Sequence, residues 1–141
     1  AAKNTLRRAL YLAPGDRDSR INWLWLNVAT ADEDALRRSV QRWQNEAVAD
    51  SRYWAAFSAA YLELGDPETA LRYQRAMLKQ QPDDWLAQWN FAQTLMTAGR
   101  RDQAWPILRS LWRDLPSSID PARNTEYRFM LLSSPKDLLW V

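Results

Sequence analysis

A 34-residue period runs through this chain and constrains its fold more than any other feature. Pro82 and Pro116 stand one period apart, Pro14 lies two periods before Pro82, and Val48 fills the skipped place. Gly65 and Gly99 keep the same spacing, as do Ala70 and Ala104, and Phe57 and Phe91. Asp16, Asp50, Asp84 and Ser118 fall on it as well. Several residue types in one register imply one structural unit repeated along the chain. Such a unit cannot bury its apolar face alone and does so by stacking on its neighbours.

Each period spells two helices. In residues 51–64, Trp54, Phe57, Tyr61 and Leu64 recur at spacings of three and four, which is one helix face. Asp50 is placed to cap the start, and Gly65 can take the left-handed conformation that closes the end. Asp66-Pro67-Glu68 then opens a partner helix, with proline in the first turn where its missing N–H costs nothing. Ala70, Tyr73, Met77 and Leu78 are expected inward there, and Pro82 stops the helix.

The next period reads alike, with Trp85, Trp89, Phe91, Leu95 and Met96 before Gly99, then Leu108, Leu111 and Trp112 before Pro116. Pro106 predicts a late start or a kink in that second helix. The earlier period is looser: matching Ala35 to Ala70 makes its turn one residue short. The expected organisation is one segment over 1–141. It comprises a second helix of a preceding repeat at 1–16, repeats at 17–50, 51–84 and 85–118, and a partial repeat at 119–141 that opens on Asp120-Pro121. In the first of these Ala2, Leu6, Ala9 and Leu10 are expected inward. Beginning and ending in mid-repeat suggests a segment of a longer array.

Composition narrows the function. Nineteen basic and 17 acidic residues leave a net charge of +2, too balanced to imply nucleic acid or an anionic membrane as the default partner. With no cysteine and no histidine, disulfides, cysteine zinc sites, thiol nucleophiles and histidine acid–base catalysis are excluded. Three glycines form no phosphate loop, and Asp83, Asp84, Glu63 and Asp66 sit at helix starts and turns where capping explains them. No enzyme and no cofactor is expected. The most apolar stretch, residues 21–29, is too short to span a bilayer.

A 34-residue helix–turn–helix unit with an aromatic near its start, Leu-Gly at the turn, a small residue after it and a closing proline resembles the tetratricopeptide repeat. The residues that carry the resemblance are Trp54, Phe57, Ser58, Tyr61, Gly65, Ala70 and Pro82, then Phe91, Ala92, Leu95, Gly99, Ala104 and Pro116. It implies an all-α fold, a right-handed superhelical solenoid of stacked antiparallel helix pairs. Gln74 and Met77 depart from the pattern, as do Thr125 and Glu126.

The resemblance also implies a partner site in a concave groove lined by the first helix of each repeat. Carried over position by position, that face presents Ile21, Asn22, Trp25 and Ala29; Arg52, Ala55, Ala56, Ala59 and Glu63; Leu86, Trp89, Asn90, Gln93 and Thr97; and Arg123, Asn124, Tyr127 and Met130. The core candidates for binding are Asn22, Trp25, Arg52, Glu63, Trp89, Asn90, Gln93, Arg123, Asn124 and Tyr127. Packing against the next repeat is an equal reading for Trp25 and Trp89. The two-carboxylate clamp of chaperone co-factors is missing, because its places hold Ile21, Trp25, Ala56 and Leu86 with only Asn90 suitable.

Of nine tryptophans, Trp23, Trp43, Trp54 and Trp112 fall on inward faces. Arg37, Arg38, Arg42, Arg72, Arg75, Arg100, Arg101, Arg109 and Arg113 gather on second helices, where a solvated face with acidic neighbours explains them and binding of an acidic partner or polymer is the sharper alternative.

The expected function is a protein–protein interaction scaffold that docks another protein. The Trp- and Arg-rich texture is similar to the periplasmic repeat arrays of bacterial exopolysaccharide exporters. That likeness implies a periplasmic setting and a polysaccharide deacetylase or hydrolase as partner, recruited to an outer-membrane pore in biofilm export. A carbohydrate polymer stacked on Trp25, Trp89 and Tyr127 is the alternative, as is peptide capture in envelope assembly. The missing cysteine fits either redox compartment and leaves the cytoplasm open.

Overall fold

The computed structural model describes residues 1–113. Among them are seven α-helices and no strand: α1 (Ala2–Leu12), α2 (Arg17–Ala29), α3 (Glu33–Ala49), α4 (Trp54–Glu63), α5 (Pro67–Gln80), α6 (Trp85–Thr97) and α7 (Arg101–Arg113). A 3-10 turn, Ser51–Tyr53, leads into α4. The chain divides into two compact units, Ala1–Met77 and Leu78–Val141, and the division falls inside α5. The expected partial repeat at 119–141 lies outside the described residues.

Aspartates begin α2, α3, α5 and α6. Asp16 accepts from the Ser19 amide, Asp32 from Ala35, Asp66 from Thr69 and Asp84 from Ala87, each at 3.1 Å. Asp50 accepts from the Arg52 amide at the same distance and so opens the 3-10 turn. Each bond satisfies one of the donors that a helix start leaves free.

The ends of α2, α4 and α6 share one closure. A left-handed residue follows the last turn, and two amides reach back to carbonyls of that turn. Gly65 N–H reaches Leu62 and Asp66 N–H reaches Tyr61, at 3.1 and 2.8 Å. Gly99 N–H reaches Met96 and Arg100 N–H reaches Leu95, at 3.0 and 2.8 Å. In the first repeat Ala31 N–H reaches Val28 and Asp32 N–H reaches Asn27, at 3.2 and 3.0 Å. The left-handed residue there is alanine, with φ +53° beside +75° and +77° for the glycines.

Ala31, Gly65 and Gly99 therefore keep the 34-residue period, and the turn of the first repeat is not short. The buried partner of Ala70 and Ala104 is Leu36, not Ala35, and all three are 0% exposed.

In the first unit α2 packs on α1, α3 and α4. Leu24, Leu36, Val40, Trp43, Tyr53 and Phe57 form its buried centre. Phe57 meets Tyr53 edge-on, with ring centroids 5.9 Å apart, and lies against Tyr73 at 5.5 Å. On α5 the buried residues are Ala70, Leu71 and Gln74, while Tyr73 and Met77 are half-buried. The inward stripe is thus rotated toward Leu71 relative to the expected one. Leu6, Ala9 and Leu10 of α1 are half-buried, but Ala2 is exposed in the first turn.

In the second unit α6 packs on α7. Ala92 and Ala104, both 0% exposed, leave room for close approach, and Leu95, Leu108, Leu111 and Trp85 fill the seam. The Trp85 indole donates to the Leu111 carbonyl at 3.3 Å. Trp112 was expected inward but is 45% exposed, because one residue beyond Leu111 turns about 100° away from the Leu108–Leu111 face. Pro106 lies inside α7, which starts at Arg101 and not late. The Asp102 carbonyl consequently lacks its helical donor, at an exposed residue that water can reach.

Candidate functional site

On α2, Asn22, Trp25 and Ala29 share one face and are all exposed, Trp25 by 43%. The opposite side is anchored by Leu24 and Asn27, both 0% exposed. On the neighbouring α4 and its leading turn, Arg52 and Ala55 are exposed, and Ala59 and Glu63 are half-buried. Ala56 corrects the expected face, since it is only 1% exposed and belongs to the core beneath it.

In the second unit Leu86, Asn90 and Thr97 are exposed, while Trp89 and Gln93 are half-buried. Trp89 buries its indole nitrogen without a hydrogen-bond partner among the described residues. Packing thus explains more of Trp89 than of Trp25. Arg123, Asn124, Tyr127 and Met130 lie outside the described residues.

A second kind of surface recurs with the repeat. Between α1, α2 and α3 lies a cleft of about 600 Å³, lined in part by Leu10, Pro14, Arg20, Arg38, Ser39 and Arg42. One period on, Gln44, Val48, Trp54, Arg72, Tyr73 and Ala76 line a cleft of about 210 Å³ in the same unit. A further period on, Leu78, Pro82, Gln88, Pro106, Ile107 and Ser110 line one of about 380 Å³ within the second unit. The helix-pair repeat makes the hollow, and the side chains at fixed places in the period decide its chemistry.

In the first cleft the side chains are held in place. The Trp23 indole donates to Ser39 Oγ at 3.1 Å, and Ser39 in turn donates to the Ala35 carbonyl at 2.7 Å. The Arg20 guanidinium lies 5.3 Å from the Trp43 ring centroid, donates to the Pro14 carbonyl at 2.7 Å and pairs with Glu46 at 3.6 Å. Arg7 lies 5.8 Å from the Trp23 ring centroid. Both are cation–π distances.

Arg37 pairs with Asp34 at 3.3 Å, as the solvated-face reading expects. Arg38 and Arg42 instead line the cleft. Sequence reasoning missed this gathering because Arg7 and Arg20 reach it from other helices. No spacing in the sequence signals it, because the lining positions emerge only from the packing of three helices.

The Asp32 carboxyl is held below its ordinary range, first by the Lys3 ammonium that bonds to it and then by the Ala35 amide. Among the described residues no three Asp or Glu side chains gather closely enough to hold a metal ion, and no helix is long and apolar enough to cross a membrane.

Helix pairs with a capping aspartate, a left-handed closure and a small buried residue, repeated every 34 residues, define a helical-repeat protein of the all-α solenoid class. The model of the tetratricopeptide repeat family matches residues 1–117, and the chain belongs to that family. Comparison with curated proteins and with solved structures returned no match. Members of the family generally mediate protein–protein interaction and are typically non-enzymatic.

Proposed function

We propose that this chain is a docking scaffold that holds a folded partner protein on the exposed faces of its first helices. The observation that carries the reading is Trp25, 43% exposed on a helix whose inner side is fully buried, with Asn22 exposed one turn away on the same face; Arg52 is exposed in the turn that leads into α4. A large rigid aromatic left open to solvent on a helix anchored from behind is the kind of residue on which interface hot spots centre, and arginine is enriched in them as well. Asn22, Trp25, Arg52 and Glu63 are the contact residues of the first unit in this reading, and Asn90 and Gln93 those of the second.

The setting we propose rests on resemblance. A Trp- and Arg-rich tetratricopeptide array is similar to the periplasmic region of exopolysaccharide outer-membrane export proteins such as PelB. The partner is then a periplasmic polysaccharide deacetylase or hydrolase recruited to the export pore.

The test is a pull-down from the bacterium that encodes the array, read by mass spectrometry. Wild type runs beside Trp25→Ala with Arg52→Glu, both at exposed positions and both checked by circular dichroism. Loss of one folded enzyme from the variant alone is the expected result. Retention of that enzyme by the variant would move the site elsewhere. If no protein is captured but soluble oligosaccharides quench Trp25, the carbohydrate reading replaces docking.

A further inference from the structure

The three repeated clefts differ in charge. Where the first has Arg20, the others have Trp54 and Gln88; where it has Arg42, they have Ala76 and Ser110. Arg38 is answered by Arg72 and then by Pro106. With Arg7 from α1, the first cleft gathers four guanidinium groups, the second one and the third none, and no carboxylate lines any of them. The repeated fold requires the hollow but not this charge.

Two of the four arginines are already engaged. Arg20 is tied to Pro14, Glu46 and Trp43, and Arg7 lies over Trp23. Arg38 and Arg42 are exposed and stand one turn apart on α3, about 6 Å along the helix axis. Neither forms a hydrogen bond or salt bridge among the described residues. Asp32, whose charge interacts with Arg38, is already bonded to Lys3.

We infer that this cleft binds an acidic segment of a protein partner, with two carboxylates about one helical turn apart beside an apolar side chain. The inference rests on the docking reading and names a second, separate contact for it. Guanidinium groups only donate, and they match carboxylates in fork geometry. The rest of the lining, including Leu10, Tyr11 and Pro14, offers apolar surface to a side chain seated between the charges. A sugar would need acceptors for its hydroxyls, and the cleft is poor in them. Ser39 Oγ is occupied by Trp23 and Ala35, no Asp, Glu, Asn or Gln lines the wall, and the Tyr11 hydroxyl is the one other side-chain acceptor in it. A volume of about 600 Å³ falls in the ordinary range of ligand sites.

The experiment titrates the full chain with a short alanine-based helical peptide that carries two glutamates one turn apart and a leucine on the same face. Binding is read by anisotropy of the labelled peptide and by the indole N–H resonance of Trp23. The glutamine counterpart of the peptide, an oligogalacturonate, and the variants Arg38→Gln/Arg42→Gln and Arg38→Glu/Arg42→Glu complete the set. The expected result is binding of the glutamate peptide with a shift at Trp23. The glutamine peptide and both variants should bind at least about tenfold more weakly, or about 1.4 kcal/mol. Unchanged binding by folded variants, or no binding of the glutamate peptide, overturns the cleft. Tighter, arginine-dependent binding of the oligogalacturonate overturns the protein ligand in favour of an acidic polysaccharide.

The pull-down partner separates the two proposals. A partner held by wild type and by Arg38→Glu/Arg42→Glu alike, but lost from the Trp25/Arg52 variant, leaves docking standing and removes the cleft from it. No partner from any form removes the docking reading, while the titration still decides what the cleft takes.

Discussion

Exchanging the left-handed residues at the three equivalent turns tests whether backbone conformation alone sets their energetics. Ala31 takes φ +53° in a closure that Gly65 and Gly99 make at +75° and +77°. A Cβ added at Gly65 or Gly99 meets nothing within 4 Å, so no clash contributes. Left-handed backbone costs an L-residue roughly 1–2 kcal/mol. Glycine removes that cost but gives back roughly 0.4–1 kcal/mol by loosening the unfolded chain. Ala31→Gly should therefore stabilise the first unit by about 0.5–1 kcal/mol, and Gly65→Ala should destabilise it by a similar amount. For a unit of this size that corresponds to a shift in Tm of about 2–8 °C.

The assay is urea and thermal unfolding followed by circular dichroism, with hydrogen exchange at the Ala31 and Asp32 amides as the local readout. Ala31→Gly should slow exchange there while leaving Gly99 unchanged. A destabilised Ala31→Gly, or a neutral Gly65→Ala, would refute the argument that conformation alone distinguishes these turns.

Three further outcomes follow from the packing and the caps. Phe57→Ala, which empties a fully buried site ringed by Tyr53, Tyr61 and Tyr73, should cost about 3–5 kcal/mol in urea unfolding. Pro106→Ala restores a donor for the Asp102 carbonyl and should raise the stability of the second unit by about 2 kcal/mol, visible as slower amide exchange along α7. Asp16, Asp32 and Asp50 are held below their ordinary pKa, chiefly by Ser19, by Lys3 and by the Arg52 amide respectively. A carboxyl depressed in the folded state stabilises above its unfolded pKa, about 3.9, and loses that contribution as pH falls through the folded value. Urea midpoints should thus be level at neutral pH and drop below about pH 4. Replacing all three aspartates by asparagine should flatten the drop.

The sequence revealed the fold where side chains advertise backbone geometry. Aspartate before a helix and glycine after one carry their reason locally, so the caps at Asp50, Asp66 and Asp84 and the closures at Gly65 and Gly99 were readable from their neighbours. Ala31 was not readable, because nothing in an alanine side chain signals a left-handed φ. That one silent residue shifted the reading from Leu36 to Ala35.

Faces were harder to read than ends. Trp112 and Leu111 differ by one position, yet one is exposed and the other buried, and a period of 3.6 does not fix which side of a stripe faces the core. The first-helix surface was legible in part: Asn22, Trp25, Arg52 and Asn90 stand exposed, whereas Ala56 serves the core. The arginine cleft was not legible, because it draws on α1, α2 and α3, and only tertiary packing brings their charges together.

The recurrence of the cleft separates two alphabets in one sequence. Aspartates at the caps, the left-handed turn residues and the buried Leu36, Ala70 and Ala104 spell the fold, while places such as 38, 42 and their counterparts face open space in a hollow that the fold supplies anyway. Letters of the second kind can be rewritten without respelling the first. Ala76→Arg would put beside Arg72 the same pair that Arg38 and Arg42 make one period earlier. An array built this way can acquire a new specificity by point substitution in a single repeat, leaving the other repeats as they were.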